Sequence, residues 1–241
     1  MQISPQPQQA LDVINESQSL CLITDSGGSV DSVSAMLAFY HLFKKYKKIR
    51  IVVPEEVPPH CHSLPESSII ERTLGPKKLS INLDTNGVVL EKVSYLMEGR
   101  TFKMILHPQT RSFEVERVSY EYLGFSFDLF MFFGVENLGR VGPLFNYDFS
   151  EVYKNASINF DTRASNESFG SINIIDSGGP SICEILFKMI GYWKLNFDRD
   201  VSLCLLNGLA HFQSSTPNQL NSVFHKGATE SPDKFLAIGG L

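Results

Sequence analysis

The sequence predicts an α/β fold: a mostly parallel sheet with helices on both faces, carrying an antiparallel β insertion. Three observations predict it. Residues 19–54 read as strand, helix, strand ("SLCLIT", "VDSVSAMLAFYHLFKKY", "IRIVVP"), and so short a β-α-β unit implies two parallel strands. Residues 78–124 switch to period-two alternation broken by turn signals, the pattern of antiparallel strands. Beyond them, apolar runs with polar tips alternate with helical segments again.

The first strand is apolar and stops at the polar, Gly-containing "DSGGS". In the helix that follows, Val33, Met36, Leu37, Tyr40, Leu42 and Phe43 fall near one broad face. "FKKYKKIR" (43–50) is the densest basic run; at a helix C-terminus it complements the helix dipole and solvates the surface. In the insertion, "KLSINLDT", "EKVSYLMEG", "TFKMILHP" and "FEVERVSYEYLG" are separated by "TNG", "EGR" and "PQT", which are turn chemistry. Val93, Tyr95 and Met97 alternate there with Ser94 and Leu96. After it come a strand in "FDLFMFFG", loop and helix in "NLGRVGPLFNYDFSEVYKN", and strands "ASINFD" and "SINIID". "PSICEILFKMIGYW" (180–193) is a helix with Pro180 in its first turn and Ser177 or Ser181 near its cap. "DVSLCLLNGLAHFQ" and "PNQLNSVFHKGA" are two further helices. One domain over 1–241, with the insertion at 78–124, is the expected organisation.

Composition excludes several classes. The chain has 241 residues, 43% apolar and 20% charged, ordinary proportions for a globular protein. A net charge of −5 gives no support for sequence-independent nucleic-acid binding, which needs a basic surface. Cys21, Cys61, Cys183 and Cys204 are widely spaced; three sit in apolar runs and read as buried small hydrophobes. "HCH" (60–62) lies in a Pro-rich loop with no second ligand cluster and reads as surface. No apolar run reaches membrane-spanning length. The N-terminal segment lacks a signal-peptide pattern, so a cytoplasmic location and no membrane partner are expected.

In an open parallel sheet, ligands bind beyond the carboxyl ends of the strands. Three loops lie there: "TDSGGSVDS" (24–32), "GVEN" (134–137) and "DTRASN" (161–166). The last one opens a longer pattern. Asn159, Asp161, Asn166, Phe169, Gly170, Asn173, Asp176 and the "CEIL" of 183–186 resemble the central segment of the DHH phosphoesterases, N-I-D-H-H-x-x-N-x-x-F-G-x-x-N followed by an aspartate and a helix with S-E-I-L. "DSGGSVD" (25–31) resembles the family's H-x-x-x-D-x-D loop, and "LLNGLAHFQSST" (205–216) its later L-x-T-G-I-x-x-D-T-G segment. The likeness extends over about three quarters of the chain. The family includes nano-RNases, pAp phosphatases and exopolyphosphatases, with a DHH-type α/β domain followed by a substrate-gripping domain; this sequence is expected to lack that C-terminal domain.

The resemblance implies two-metal phosphodiester chemistry, in which two hard cations activate water and neutralise oxygen charge. The ligands it would use are mostly changed here. The first-loop histidine position is Asp25, the next aspartate position is Ser29, and Asp31 is kept. Glu136 is the nearest carboxylate after the middle strand. Asp161 is kept, but the two histidine positions are Thr162 and Arg163, and the late aspartate falls at Phe212. The implied metal ligands are therefore Asp25, Asp31, Asp161 and Glu136, with Arg163 and Asn166 as residues that contact a cofactor or ligand. Two readings stay open. In one, the metal centre is eroded: the chain is catalytically inactive and binds a nucleotide, a phosphate-bearing ligand or a protein. In the other, it is a divergent phosphodiesterase or phosphatase acting on short oligonucleotides or pAp with one magnesium or manganese ion. A protein partner on residues 78–124 and a homodimer complete the expectations.

Overall fold

The computed structural model describes residues 6–25, 27–75, 78–122, 124–125 and 127–215, the last four by backbone only. The helix expected over "PNQLNSVFHKGA" lies outside them. The chain divides into two compact units, one formed by Met1–Gly75 with Phe127–Leu241 and one by Pro76–Ser126.

The larger unit begins with α1 (Gln6–Glu16), β1 (Ser19–Ile23), α2 (Val30–Phe43) and β2 (Lys48–Val52). The smaller unit holds β3 (Leu79–Leu83), β4 (Leu90–Glu98), β5 (Thr101–Pro108) and β6 (Val118–Tyr122). The larger unit then resumes with β7 (Leu129–Phe133), α3 (Gly142–Phe145), α4 (Ser150–Lys154), β8 (Ala156–Asp161), β9 (Ile172–Ile175), α5 (Ile182–Tyr192) and α6 (Arg199–Ser215). Its five strands lie in the order β2-β1-β7-β8-β9, and every neighbouring pair is parallel.

Both faces of the sheet are covered, which is why its strands read as unbroken apolar runs rather than alternating ones. All five residues of β7, "LFMFF", are buried. On one face Leu22, Met131, Phe133, Ile158 and Phe160 form a single core with residues of α2, α5 and α6. Phe130 and Phe132 point the other way. There Phe130 meets Phe145 of α3 at 5.8 Å, and Phe132 meets Phe169 at 5.0 Å. Right-handed crossovers explain the split. The chain leaves β1 toward β2 by α2 on one face, and leaves β7 toward β8 by α3 and α4 on the other.

Local chemistry sets the boundaries. Ser29 caps α2, its Oγ accepting from the Ser32 amide at 3.0 Å. Ser181 caps α5 by accepting from the Glu184 amide at 3.0 Å, so Pro180 precedes the cap rather than standing in the first turn. Asp128 accepts from the Gln18 and Ser19 amides at 2.8 and 2.9 Å, fixing the entry to β1. Two helices differ from expectation. α2 is buried nearly all round, Ser32, Ser34 and His41 included, because α5 and α6 pack over the face that amphipathic spacing left for solvent. α1 buries Ala10 and Ile14 and packs Leu11 and Val13 against the core, a helical apolar spacing that sequence reading passed over. It is tied down by the Trp193 indole, which donates to the Pro7 carbonyl at 2.8 Å.

In the smaller unit β3 pairs with β6 and β4 with β5, both antiparallel, giving two separate two-stranded sheets.

Gly134 closes β7 with φ +68°, and a Cβ there would stand 2.5 Å from Ser32 Oγ and 3.0 Å from Ile182 Cδ1. Gly134→Ala is therefore expected to lower stability by about 1–3 kcal/mol, the range for a strained left-handed residue. Urea denaturation checks this, and an unchanged midpoint would show that the close approach does not constrain the fold.

Candidate functional site

The crevice between β1 and β7 lies where crossovers leave in opposite directions, the place where open α/β sheets bind ligands. Asp25 follows β1, Gly134 follows β7, and Asp161 ends β8. Arg163 joins all three.

Asp161 is only 1% exposed. A buried carboxylate with no partner would cost several kcal/mol. Its oxygens are fully engaged instead. Oδ1 accepts from the Thr162 and Arg163 amides at 2.7 and 3.2 Å. The Arg163 guanidinium approaches through Nε, 3.0 and 3.1 Å from the two oxygens, and through Nη2, 3.0 Å from Oδ2. Asn166 Nδ2 adds a bond to Oδ2 at 2.6 Å. These donors fill the roughly four lone-pair sites of a carboxylate. Arg163 Nη2 also donates to the Gly134 carbonyl, and Nη1 stands 4.0 Å from Asp25 Oδ2.

Asp25 is likewise buried. Its Oδ1 accepts from the Gly27 amide at 3.2 Å, and its Oδ2 from Arg140 Nε at 3.3 Å. Arg140 stands in a 3-10 turn, Leu138–Val141, that starts at Asn137, whose side chain accepts from the Arg140 amide. Its side chain is 50% exposed, and its terminal nitrogens have no partner among the described residues. The result is two carboxylates against two guanidinium groups. Sequence reading passed over Arg140; its signal was a basic residue four positions after Glu136, in a strand-tip loop.

The remaining candidates stand elsewhere. Asp31 is turned toward α5, where its oxygens accept from the Ile182 and Cys183 amides at 2.6 and 3.0 Å. It is an added cap on that helix. Burial pushes its carboxyl pKa up, against the opposing pull of those two amide bonds. Glu136 offers its backbone carbonyl to the Glu167 amide at 3.0 Å. Asn166 is consumed by the fold: its Nδ2 reaches the Val135 carbonyl at 2.8 Å as well as Asp161, and its Oδ1 accepts from Asn159 at 3.0 Å and the Ser168 amide at 2.8 Å. Ser29 caps α2, and the side chain of Phe212 lies outside the described residues. Cys21, Cys61, Cys183 and Cys204 are all buried and free; burial raises every one of these thiols, Cys204 to about 12, which keeps them protonated and unreactive.

This donor set does not fit a metal ion. Among the described residues, no group of three or more His, Cys, Asp or Glu side chains is placed to hold one. The two carboxylates that converge already share a guanidinium. Two unit charges about 4 Å apart repel by about 4 kcal/mol at an effective dielectric near 20, and a divalent ion beside Arg163 would meet about twice that.

Two outcomes follow from this geometry. Arg163→Ala leaves Asp161 buried with no cation and is expected to lower stability by about 3 kcal/mol, the scale for breaking a buried pair from one side; chemical denaturation that shows a change under half of this would contradict the arrangement. Asp31→Ala removes acceptors from the first turn of α5 and is expected to cost about 1–2 kcal/mol. Because burial raises the folded pKa of Asp31, its contribution is full below the unfolded carboxyl range and declines as pH rises through the folded value. The deficit of the variant should then be larger near pH 4 than near pH 7, as read from denaturation at the two values.

No protein-family profile matches the chain, and no curated protein matches it. Among solved structures, the chain is similar to the crystal structure of an exopolyphosphatase-related protein from Bacteroides fragilis, with a TM-score of 0.64 and 14% sequence identity. The match covers 98% of this chain and 57% of that one, so the chain spans a little over half the length of that protein. At this identity the likeness is one of fold: an α/β unit built on a mostly parallel five-stranded sheet.

Proposed function

We propose that the chain is a DHH-type, phosphoesterase-like domain that binds a phosphate-bearing ligand, a nucleotide or short oligonucleotide, without hydrolysing it. One observation carries this reading: the Arg163 guanidinium stands between Asp161 and Asp25, in the position where the resemblance calls for histidine and metal. Support for the ligand class comes from Arg140, whose half-exposed side chain pairs through Nε with Asp25 and leaves its terminal nitrogens without a partner among the described residues, and guanidinium forks match phosphate oxygens well. The likeness to an exopolyphosphatase-related fold agrees with a phosphate-bearing partner. Hydrolysis needs an activated water, and both carboxylates that would bring one are held in ion pairs.

Calorimetry with pAp and a 5′-phosphorylated trinucleotide, beside a hydrolysis assay in magnesium and in manganese, tests the reading. Binding that weakens at least about tenfold in Arg140→Ala, the loss of one charge-assisted contact, with no product released, is the expected result. Metal-dependent release of phosphate or mononucleotide would establish the divergent-hydrolase alternative instead. Absence of both binding and hydrolysis would leave phosphate recognition without support and favour a protein-binding role.

A further inference from the structure

A buried imidazole on α2 takes no part in the crevice. His41 stands in the last turn of that helix and is 4% exposed. Its Nε2 lies 3.2 Å from the Pro65 carbonyl oxygen. Its Nδ1 lies 3.7 Å from Oδ2 of Asp200, in the first turn of α6, beyond hydrogen-bond distance. Nδ1 has no hydrogen-bond partner among the described residues. Both ring nitrogens therefore face oxygen acceptors. The other titratable groups around the ring are largely settled among themselves. On α2, the Tyr40 ring meets it at 5.6 Å, and Lys44 pairs at 2.9 Å with Glu66, from the loop that carries Pro65. At the start of α6, Asp198 accepts from the Asp200 and Val201 amides, and burial keeps the Cys204 thiol protonated.

A neutral imidazole carries one N–H. With that proton on Nε2, the Pro65 carbonyl is served and the Nδ1 lone pair faces a carboxylate. With the proton on Nδ1, the Nε2 lone pair faces the Pro65 carbonyl at 3.2 Å. Neither tautomer satisfies both acceptors. The imidazolium does, because both of its nitrogens donate. Burial opposes a charge on the ring, and a countercharge offsets it. Lys44 and Glu66 cancel one another, so Asp200 is the carboxylate left to supply that countercharge. Its side chain is 44% exposed, which gives it room to close the remaining distance to Nδ1.

We propose that His41 is an acid-strengthened latch between α2 and α6. A proton taken from solvent at Nδ1 gives the ring its second N–H, which bonds to Asp200 while Nε2–H keeps the Pro65 carbonyl. One side chain then fastens the end of α2, the loop at Pro65 and the start of α6. Imidazoles change charge between about pH 5 and pH 8. The proton completes a contact that the unfolded chain lacks, so the latch adds stability at the acid end of that range and gives it up as pH rises. A buried imidazole without such a partner does the reverse and weakens the fold in acid. The proposal is independent of ligand binding in the crevice.

Asp200→Asn removes the carboxylate while keeping a side chain of the same size at a half-exposed position, so the fold is expected to persist. Urea denaturation of the full chain and of this variant, at about pH 5.5 and about pH 7.5, reads the latch across the imidazole range. The ratio of wild-type to variant folding constants should rise about two- to fivefold from the higher pH to the lower, the scale of a partly exposed ion pair. A ratio that stays constant or falls overturns the proposal. Nitrogen-15 NMR of the wild-type chain reads the proton itself without any variant. At about pH 5.5 both ring nitrogens of His41 should be protonated. An Nδ1 that still lacks its proton there overturns the proposal whatever the denaturation curves show.

Discussion

A guanidinium shared by two buried carboxylates organises the carboxyl end of the sheet. Asp161 ends β8, Asp25 follows β1, and the Gly134 carbonyl closes β7; Arg163 bonds to the first and third and stands 4.0 Å from the second. One side chain therefore connects the tips of three neighbouring strands. It does so from a position two residues after Asp161, so the central contact is local and its loop-closure entropy small. The longer reach, to β7 and β1, is set by the strand order of the sheet. If Arg163 were absent, Asp25 would keep Arg140, but Asp161 would stand buried with no cation, and the low local dielectric would make it costly.

The residues that match the DHH pattern and those that depart from it do different physical work. β8 and β9 are parallel neighbours joined only by residues 162–171, a short connection for parallel strands, which usually use a dozen residues and a helix. Asparagines substitute for the missing helix. Asn159 donates to Asn166, Asn166 holds the Val135 carbonyl and Asp161, and Asn173 accepts from the Gly170 amide at 3.0 Å while donating to the Ser168 and Gly170 carbonyls. Gly170 is required by the same crowding, since a Cβ there would meet the Ile172 carbonyl at 2.8 Å. The matching residues thus build a crossover. The departures, Asp25, Ser29, Thr162 and Arg163, fall where the resemblance implies metal ligands. A pattern match of this kind speaks for a backbone path first, and chemistry must be argued from the side chains that remain.

The sequence made much of the sheet legible because the signals were local. β1, β7 and β8 are apolar runs with polar tips, and the alternation of Val93, Tyr95 and Met97 anticipated β4. What stayed hidden depends on distant partners. Asp31 looks like a strand-tip ligand until the α5 amides, 151 residues away, take both of its oxygens. The near-complete burial of α2 follows from two helices packing over it, which its own periodicity does not contain. α1 had a legible apolar spacing in Ala10, Leu11, Val13 and Ile14, but the indole that holds it comes from 186 residues away. Arg140 had no motif at all; only the register of β1 beside β7 brings it to Asp25. Likewise, alternation in the insertion predicted strands but could not show that their apolar faces would stay uncovered within the described chain.

Under the proposed reading, the ion pairs of the crevice decide what a bound phosphate would meet. Two guanidinium groups balance two carboxylates, so the interior of the cluster is close to neutral, and the side chains of Arg140 and Arg163 are 50% and 37% exposed. An approaching phosphate would meet donors that cannot be deprotonated near neutral pH. To cleave it, the site would also need a group free to take a proton from water. Asp25 and Asp161 are the carboxylates within the cluster, and each would have to leave an ion pair first, giving up a charge-assisted bond of the strong kind. Recognition requires no such rearrangement. The same Arg163 that pairs with the buried Asp161 carboxylate thereby also occupies the oxygens a base would need.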